Sequence, residues 1–240
     1  MMWGMQNCRD SRRSSKTALD RIPTGIHGLD DMIGGGLPAP SVILVSGGLG
    51  TGRTTFCTQF LCKGASQRER GIYFMVFKGT PQWAIRFART YEFAEESYFA
   101  SLIRYLDLGD ALNEAGGASE ILGLIRSELA IFRPRRIVID TPAVLEEILK
   151  DEYRRFLLNL AKVIKEQNIV ALIIGEPSLS MPYPADIAYI ADGIIVLRNS
   201  EANLSQRRSL EVLKMSGASH ASGRICVDIS SQGLAIYPGL

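Results

Sequence analysis

Five short runs are apolar at nearly consecutive positions instead of alternating with polar ones: 41–47 (SVILVSG), 71–78 (GIYFMVFK), 102–108 (LIRYLDL), 135–140 (RRIVID) and 169–175 (IVALIIG). Strands of this kind must be covered on both faces, as in a parallel sheet held between two layers of helices. The stretches between them, 54–65, 80–93, 118–132 and 144–167, carry helical periodicity. Strand and helix in alternation predict an α/β fold with a mainly parallel sheet flanked by helices. After Asp186 the pattern changes. GIIVLRNS, RRSLEVLKMS, RICVDIS and LAIYP follow one another with turns between them, which predicts C-terminal antiparallel strands extending or capping the sheet. One domain over 19–240 accounts for all of these elements, preceded by a basic arm at 1–18.

Charge sits unevenly on this chain. The net value is +2, but Arg9, Arg12, Arg13 and Lys16 against Asp10 put +3 on the arm and leave −1 on the rest. A folded body without positive excess lacks the electrostatics of a non-specific nucleic-acid binder. No apolar run approaches the roughly 20 residues of a membrane span, and no apolar segment of secretory type follows Met1. A cytoplasmic protein is the expectation. The four cysteines, Cys8, Cys57, Cys62 and Cys226, show no CxxC spacing, and the two histidines are His27 and His220. Free thiols are expected in place of a zinc site.

Between the first apolar run and the first helical pattern lies GGLGTGRTT, comprising Gly47, Gly48, Leu49, Gly50, Thr51, Gly52, Arg53, Thr54 and Thr55. It matches the phosphate-loop frame G-x-x-x-x-G-K-T, with arginine at the lysine position. Glycines let the backbone curl until its N–H groups converge on phosphate oxygens, and the helix N-terminus adds positive potential. The alternative, a tight turn alone, leaves four glycines in six residues unexplained. Thr54 is the expected Mg²⁺ ligand. Arg53 keeps the charge but brings a planar fork where a compact ammonium is usual, so weakened binding is expected. Asp140, closing the apolar run RRIVID, is placed as a strand-end carboxylate that orients the hydration shell of Mg²⁺.

These residues carry a resemblance. RIPTGIHGLDDMIGGGLP before the loop, then FKGTP, RRIVID, ADGIIVLR, RRSLEVLKMSGASH and GLAIYP, in unbroken order, resemble a KaiC-type domain of the RecA superfamily. The resemblance implies a RecA-like core and ATP or ADP with Mg²⁺ as cofactors. It also implies a ring, commonly a hexamer of the chain itself or of related subunits, with nucleotide bound between neighbours. In the family an acidic pair precedes Thr/Ser-Pro and activates the attacking water; this chain has Phe77-Lys78-Gly79-Thr80-Pro81 there. Neither residue can orient water as a carboxylate does. The family's K-x-R-G segment reaches a neighbour's γ-phosphate, and here Lys214 remains while the arginine is Ser216. His220 matches a position lining the base pocket, or is a surface or packing residue.

Loop lysine, acidic pair and trans arginine are therefore all altered. The expected function is a nucleotide-binding regulatory or assembly protein, acting through contacts with other proteins, with weak or absent ATP hydrolysis. Two alternatives stand beside it. One is a slow ATPase using Glu146, Glu147 or Glu176 as base, with Glu176 the best placed. The other is a recombinase paralogue acting with DNA. Against the second, the segments 141–149 and 175–186, which face the channel in rings that hold nucleic acid, carry Glu146, Glu147, Glu176 and Asp186 and no basic residue. Lys78 could also swing to the phosphates and replace the loop lysine's charge. The amphipathic stretch 144–167 is read as a helix covering the sheet, or as a partner surface.

Overall fold

The apolar runs do become the parallel strands, four of them inside the sheet and the run 102–108 at its edge. In the computed structural model, residues 19–76, 79–109, 117–140, 142–178, 180–202 and 205–237 are described; the basic arm and Lys78 lie outside them. In chain order, β1 (Asp20–Ile22) and β2 (Leu37–Ala39) pair antiparallel on either side of α1 (Leu29–Met32). There follow β3 (Ser41–Gly47), α2 (Arg53–Ser66), β4 (Gly71–Met75), α3 (Pro81–Ala88), α4 (Glu96–Ser101), β5 (Ile103–Asp107), α5 (Ala118–Phe132) and β6 (Arg136–Asp140). Then come α6 (Pro142–Leu149), α7 (Tyr153–Glu166), β7 (Val170–Gly175) and α8 (Ala185–Ile190). Last are β8 (Gly193–Ala202), β9 (Ser205–Met215), β10 (Arg224–Ser230) and β11 (Gly233–Tyr237).

The large sheet has the order β11-β10-β9-β8-β3-β7-β6-β4-β5. From β8 to β5 neighbours run parallel, and from β8 to β11 they run antiparallel, as the change of pattern after Asp186 predicted. Successive side chains of a strand point to opposite faces, and here each face feeds its own core. Ile43, Val45, Val138 and Leu172 pack into one apolar cluster, while Val42, Leu44, Ile137, Ile139 and Ile173 pack into the other. Every residue of β3, β6 and β7 is buried. Burial of such side chains stabilises by about 1.5–3 kcal/mol each.

Three departures have local causes. The pattern over 144–167 predicts one helix, whereas the chain forms α6, a 3₁₀ turn at Lys150–Glu152 and α7, with Lys150 at φ 45°. α6 packs on β7 and α7 on β3, so the two segments follow different strands. Their buried residues Leu145, Leu149, Tyr153, Phe156 and Leu160 keep helical spacing through the turn, which is why the break leaves no mark in the pattern. The stretch 80–93 shortens to α3, capped by the Thr80 hydroxyl accepting from the Trp83 N–H at 3.3 Å, with Pro81 in the first turn. α8, with only six residues, is a helix that the pattern did not show.

Candidate phosphate-binding site

Because β3, β7 and β6 are parallel neighbours, their C-terminal ends open on one edge. That edge gathers the loop after Gly47, Glu176 after β7 and Asp140 at the end of β6. Parallel α/β sheets bind ligands outside the carboxyl ends of their strands.

The loop is built tightly. A Cβ at Gly47 would stand 2.7 Å from the Leu197 carbonyl oxygen of β8 and 2.6 Å from Thr51 Oγ1, so only glycine fits. Gly50 and Gly52 have φ 71° and 99°, a left-handed conformation open to glycine at little cost. The Thr51 hydroxyl donates to the Gly48 carbonyl at 2.8 Å. From outside, Asn199 Nδ2 donates to the Leu49 carbonyl at 3.1 Å and Arg208 Nε to the Gly50 carbonyl at 3.2 Å. The pattern gave no sign of these two pins. With its carbonyls held outward, the loop leads straight into α2, whose first turn has no side-chain cap and no acidic residue. The N–H groups there are left for an outside acceptor, and an anion suits them.

Thr54 is exposed, and Asp140 is 2% exposed, yet both line one cavity of about 100 Å³. The two residues expected at Mg²⁺ are thus brought together. Tyr73, Met75, Tyr105, Trp83 and Phe87 are also part of its wall. The Tyr73 hydroxyl donates to Asp140 Oδ2 at 2.6 Å, and its ring stacks on Tyr105 with centroids 4.9 Å apart. Burial, and then the Asp140 charge, push the Tyr73 pKa well up, which keeps it a donor. The Thr55 hydroxyl is engaged with Tyr91 OH at 2.8 Å and so is turned from the loop.

Arg53 departs most from what the frame leads one to expect. It is 9% exposed, and its fork is bent to the end of β7: Nη1 donates to the Gly175 carbonyl at 2.9 Å and Nη2 to Glu176 Oε1 at 3.2 Å. Glu176, considered as a base, is therefore the partner of the arginine that replaces the loop lysine. Loop, helix terminus, Thr54 and Asp140 suit a polyphosphate with Mg²⁺; Arg53 is committed elsewhere.

Lys214 and His220 lie away from this chain's loop. Lys214 sits opposite Ile194 on β8, three residues back from Leu197, which pairs with Gly47. Its Nζ donates to the Ala191 carbonyl at 2.6 Å. His220 follows β9, next to Ala221, whose N–H donates to the Met32 carbonyl of α1. Its Nδ1 is buried without a hydrogen-bond partner among the described residues.

Among the described residues no group of three His, Cys, Asp or Glu is placed to hold a metal, and no helix is long and apolar enough to cross a membrane. Cys57, Cys62 and Cys226 form no disulfide among the described residues, and Cys8 lies outside them.

Comparison with known proteins gives the same frame. A family model described as "ATPase: KaiC" matches residues 22–240. The chain is 30% identical over 237 residues to circadian clock oscillator protein KaiC 1 of Synechocystis, covering 92% of this chain and 43% of that protein. It thus spans less than half the length of that relative. Over 243 residues it is 29% identical to UPF0273 protein MJ1359 of Methanocaldococcus jannaschii, covering 92% of this chain and 97% of that one. Among solved structures, the KaiC-like protein PH0186 from Pyrococcus horikoshii matches with a TM-score of 0.81 at 27% identity, over 92% of this chain and all of that chain. A phosphate loop after β3, an aspartate ending β6 and a family match running through both lead to one conclusion: the chain belongs to the KaiC family of ATPases.

Proposed function

We propose that this protein binds ATP or ADP with Mg²⁺ and acts as a regulatory or assembly component, with hydrolysis weak or absent. Gly47 to Thr55 form the cradle, and Thr54 and Asp140 hold the metal. Lys214 and His220 face a neighbouring subunit's nucleotide in a ring of this chain or of related chains. When bound, Mg²⁺ neutralises phosphate charge; the chain's own part is to position the polyphosphate and exclude water from it.

The observation that carries this reading is the Arg53–Glu176 pair beside an intact glycine cradle. The loop's backbone is kept for holding phosphate, while the side chain that would meet the transferred group is tied to the sheet. The same pair weakens the slow-ATPase alternative. Glu176 Oε1 already accepts from Arg53 Nη2 at 3.2 Å, so one of its two oxygens is taken up by the loop arginine instead of an attacking water. Glu146, Glu176 and Asp186 line one cleft of about 370 Å³, whose sign argues against nucleic acid.

Mg-ATP titration by calorimetry, paired with mass by light scattering, tests the reading. Saturable binding and a nucleotide-dependent rise from monomer to ring are expected. No binding at millimolar nucleotide would contradict it.

A further inference from the structure

The Arg53–Glu176 pair lies at the end of the strand between the phosphate loop and Asp140. β7 lies between β3 and β6, so Glu176 emerges in the gap between the phosphate loop and Asp140. In phosphoryl-transfer sites Mg²⁺ bridges the β- and γ-oxygens. A metal held by Thr54 and Asp140 would bring a third phosphate to the side of the loop on which Glu176 emerges. In the usual arrangement the loop lysine reaches the β- and γ-phosphates there. Here the loop's cation is buried and already donates to the Gly175 carbonyl at 2.9 Å and to Glu176 at 3.2 Å. Taking Arg53 away would leave both acceptors without it.

The surroundings add to the effect. Beyond Glu176 the cleft is also lined by Glu146 and Asp186. The described residues lining that cleft and the cavity at Thr54 include no lysine and no arginine. A triphosphate thus brings added negative charge toward three carboxylates, Glu176, Glu146 and Asp186, against the one cation Arg53 that pairs with Glu176. A diphosphate stops short of them, served by the loop amides and the open N-terminus of α2.

We propose that Glu176 makes this cradle selective for a nucleoside diphosphate over the triphosphate, acting as a specificity-determining residue through its hold on Arg53 and its own charge. The proposal rests on the reading that the cradle binds nucleotide. Glu176 is 51% exposed at its side chain, so Glu176→Gln keeps the shape and the contact to Arg53 and removes the charge.

The test is calorimetric titration of the full chain and of the Glu176→Gln chain with Mg-ADP and with Mg-ATP. The wild-type chain is expected to bind ADP about tenfold more tightly than ATP, or ~1.4 kcal/mol. Glu176→Gln is expected to leave ADP affinity within about twofold and to tighten ATP until the two ligands are nearly equal. ATP binding as tightly as ADP to the wild-type chain overturns the proposal, and so does a preference unchanged in the variant. If neither ligand binds either chain, the nucleotide-binding reading itself has failed and the selectivity falls with it.

Discussion

Arg136 opens β6 at the N-terminal edge of the parallel strands and Arg53 follows β3 at the opposite edge, so one sheet buries a guanidinium at each end. Arg136 is 0% exposed and makes four hydrogen bonds. Its Nε donates to Glu69 at 2.6 Å, Nη1 to the carbonyls of Pro23 at 2.7 Å and Phe60 at 3.0 Å, and Nη2 to Gln67 at 3.2 Å. Its fork also lies over the Phe60 ring, 4.7 Å from the centroid. Arg53 has two protein partners, one of them half exposed. At the first edge the guanidinium joins β1's connection, α2 and β6 into one body. At the second it joins a glycine loop to a strand end and leaves the loop's amides open. An arginine buried among four protein acceptors at the sheet's N-terminal edge is a structural member; one held by two acceptors at a strand's carboxyl end, beside an open loop, belongs to a site.

Removal of each guanidinium separates the two uses. Arg136→Met leaves Glu69, Gln67 and two carbonyls facing an apolar side chain, and should lower unfolding free energy by about 3–5 kcal/mol in denaturant melts. Gly64 faces the same group: a Cβ there would stand 2.5 Å from Arg136 Nε. Gly64→Ala should therefore cost about 1–3 kcal/mol, read in the same melts. Arg53→Met should cost only about 1 kcal/mol, because Glu176 can turn to water and one carbonyl is left. A loss at Arg53 equal to that at Arg136 would erase the distinction.

The smallest effect concerns pH. Tyr73 has its pKa raised above the ordinary value near 10 by burial first and then by Asp140. Above pH 10 the unfolded chain loses this proton while the folded chain keeps it, so stability is whole at lower pH and falls as pH rises. Cys62, pushed up from 9 to about 12 by burial, adds to the same alkaline loss from about pH 9 upward. Tyr73→Phe should flatten the limb between about pH 10 and 11 by about 0.5–1 kcal/mol, measured as the difference in slope of stability against pH.

Much of this contrast could be read from the residues alone on one side and little on the other. The strand 41–47 and the helix 118–132 have the expected bounds because both faces of the strand and one face of the helix are written in apolar spacing. The placing of the loop, Thr54 and Asp140 at the sheet's carboxyl edge was legible because the loop leaves β3, Thr54 lies in the first turn of the helix after it and Asp140 ends β6. Glu176 as partner of Arg53 was not, since 123 residues separate them and only the order β3-β7-β6 brings them together. Arg136 was hidden for the same reason: its acceptors at Pro23, Phe60, Gln67 and Glu69 come from segments without a common pattern. β1 and β2, three residues each, are too short to show any period.

The central claim is that the carboxyl edge of the sheet holds polyphosphate and does not cut it. Phosphate release from the chain saturated with Mg-ATP tests this most directly, followed over many times the turnover period of ordinary phosphate-loop ATPases. Recovery of the bound nucleotide as intact ATP is the predicted result. Steady release at such an enzyme's rate, abolished by Asp140→Ala, would contradict it.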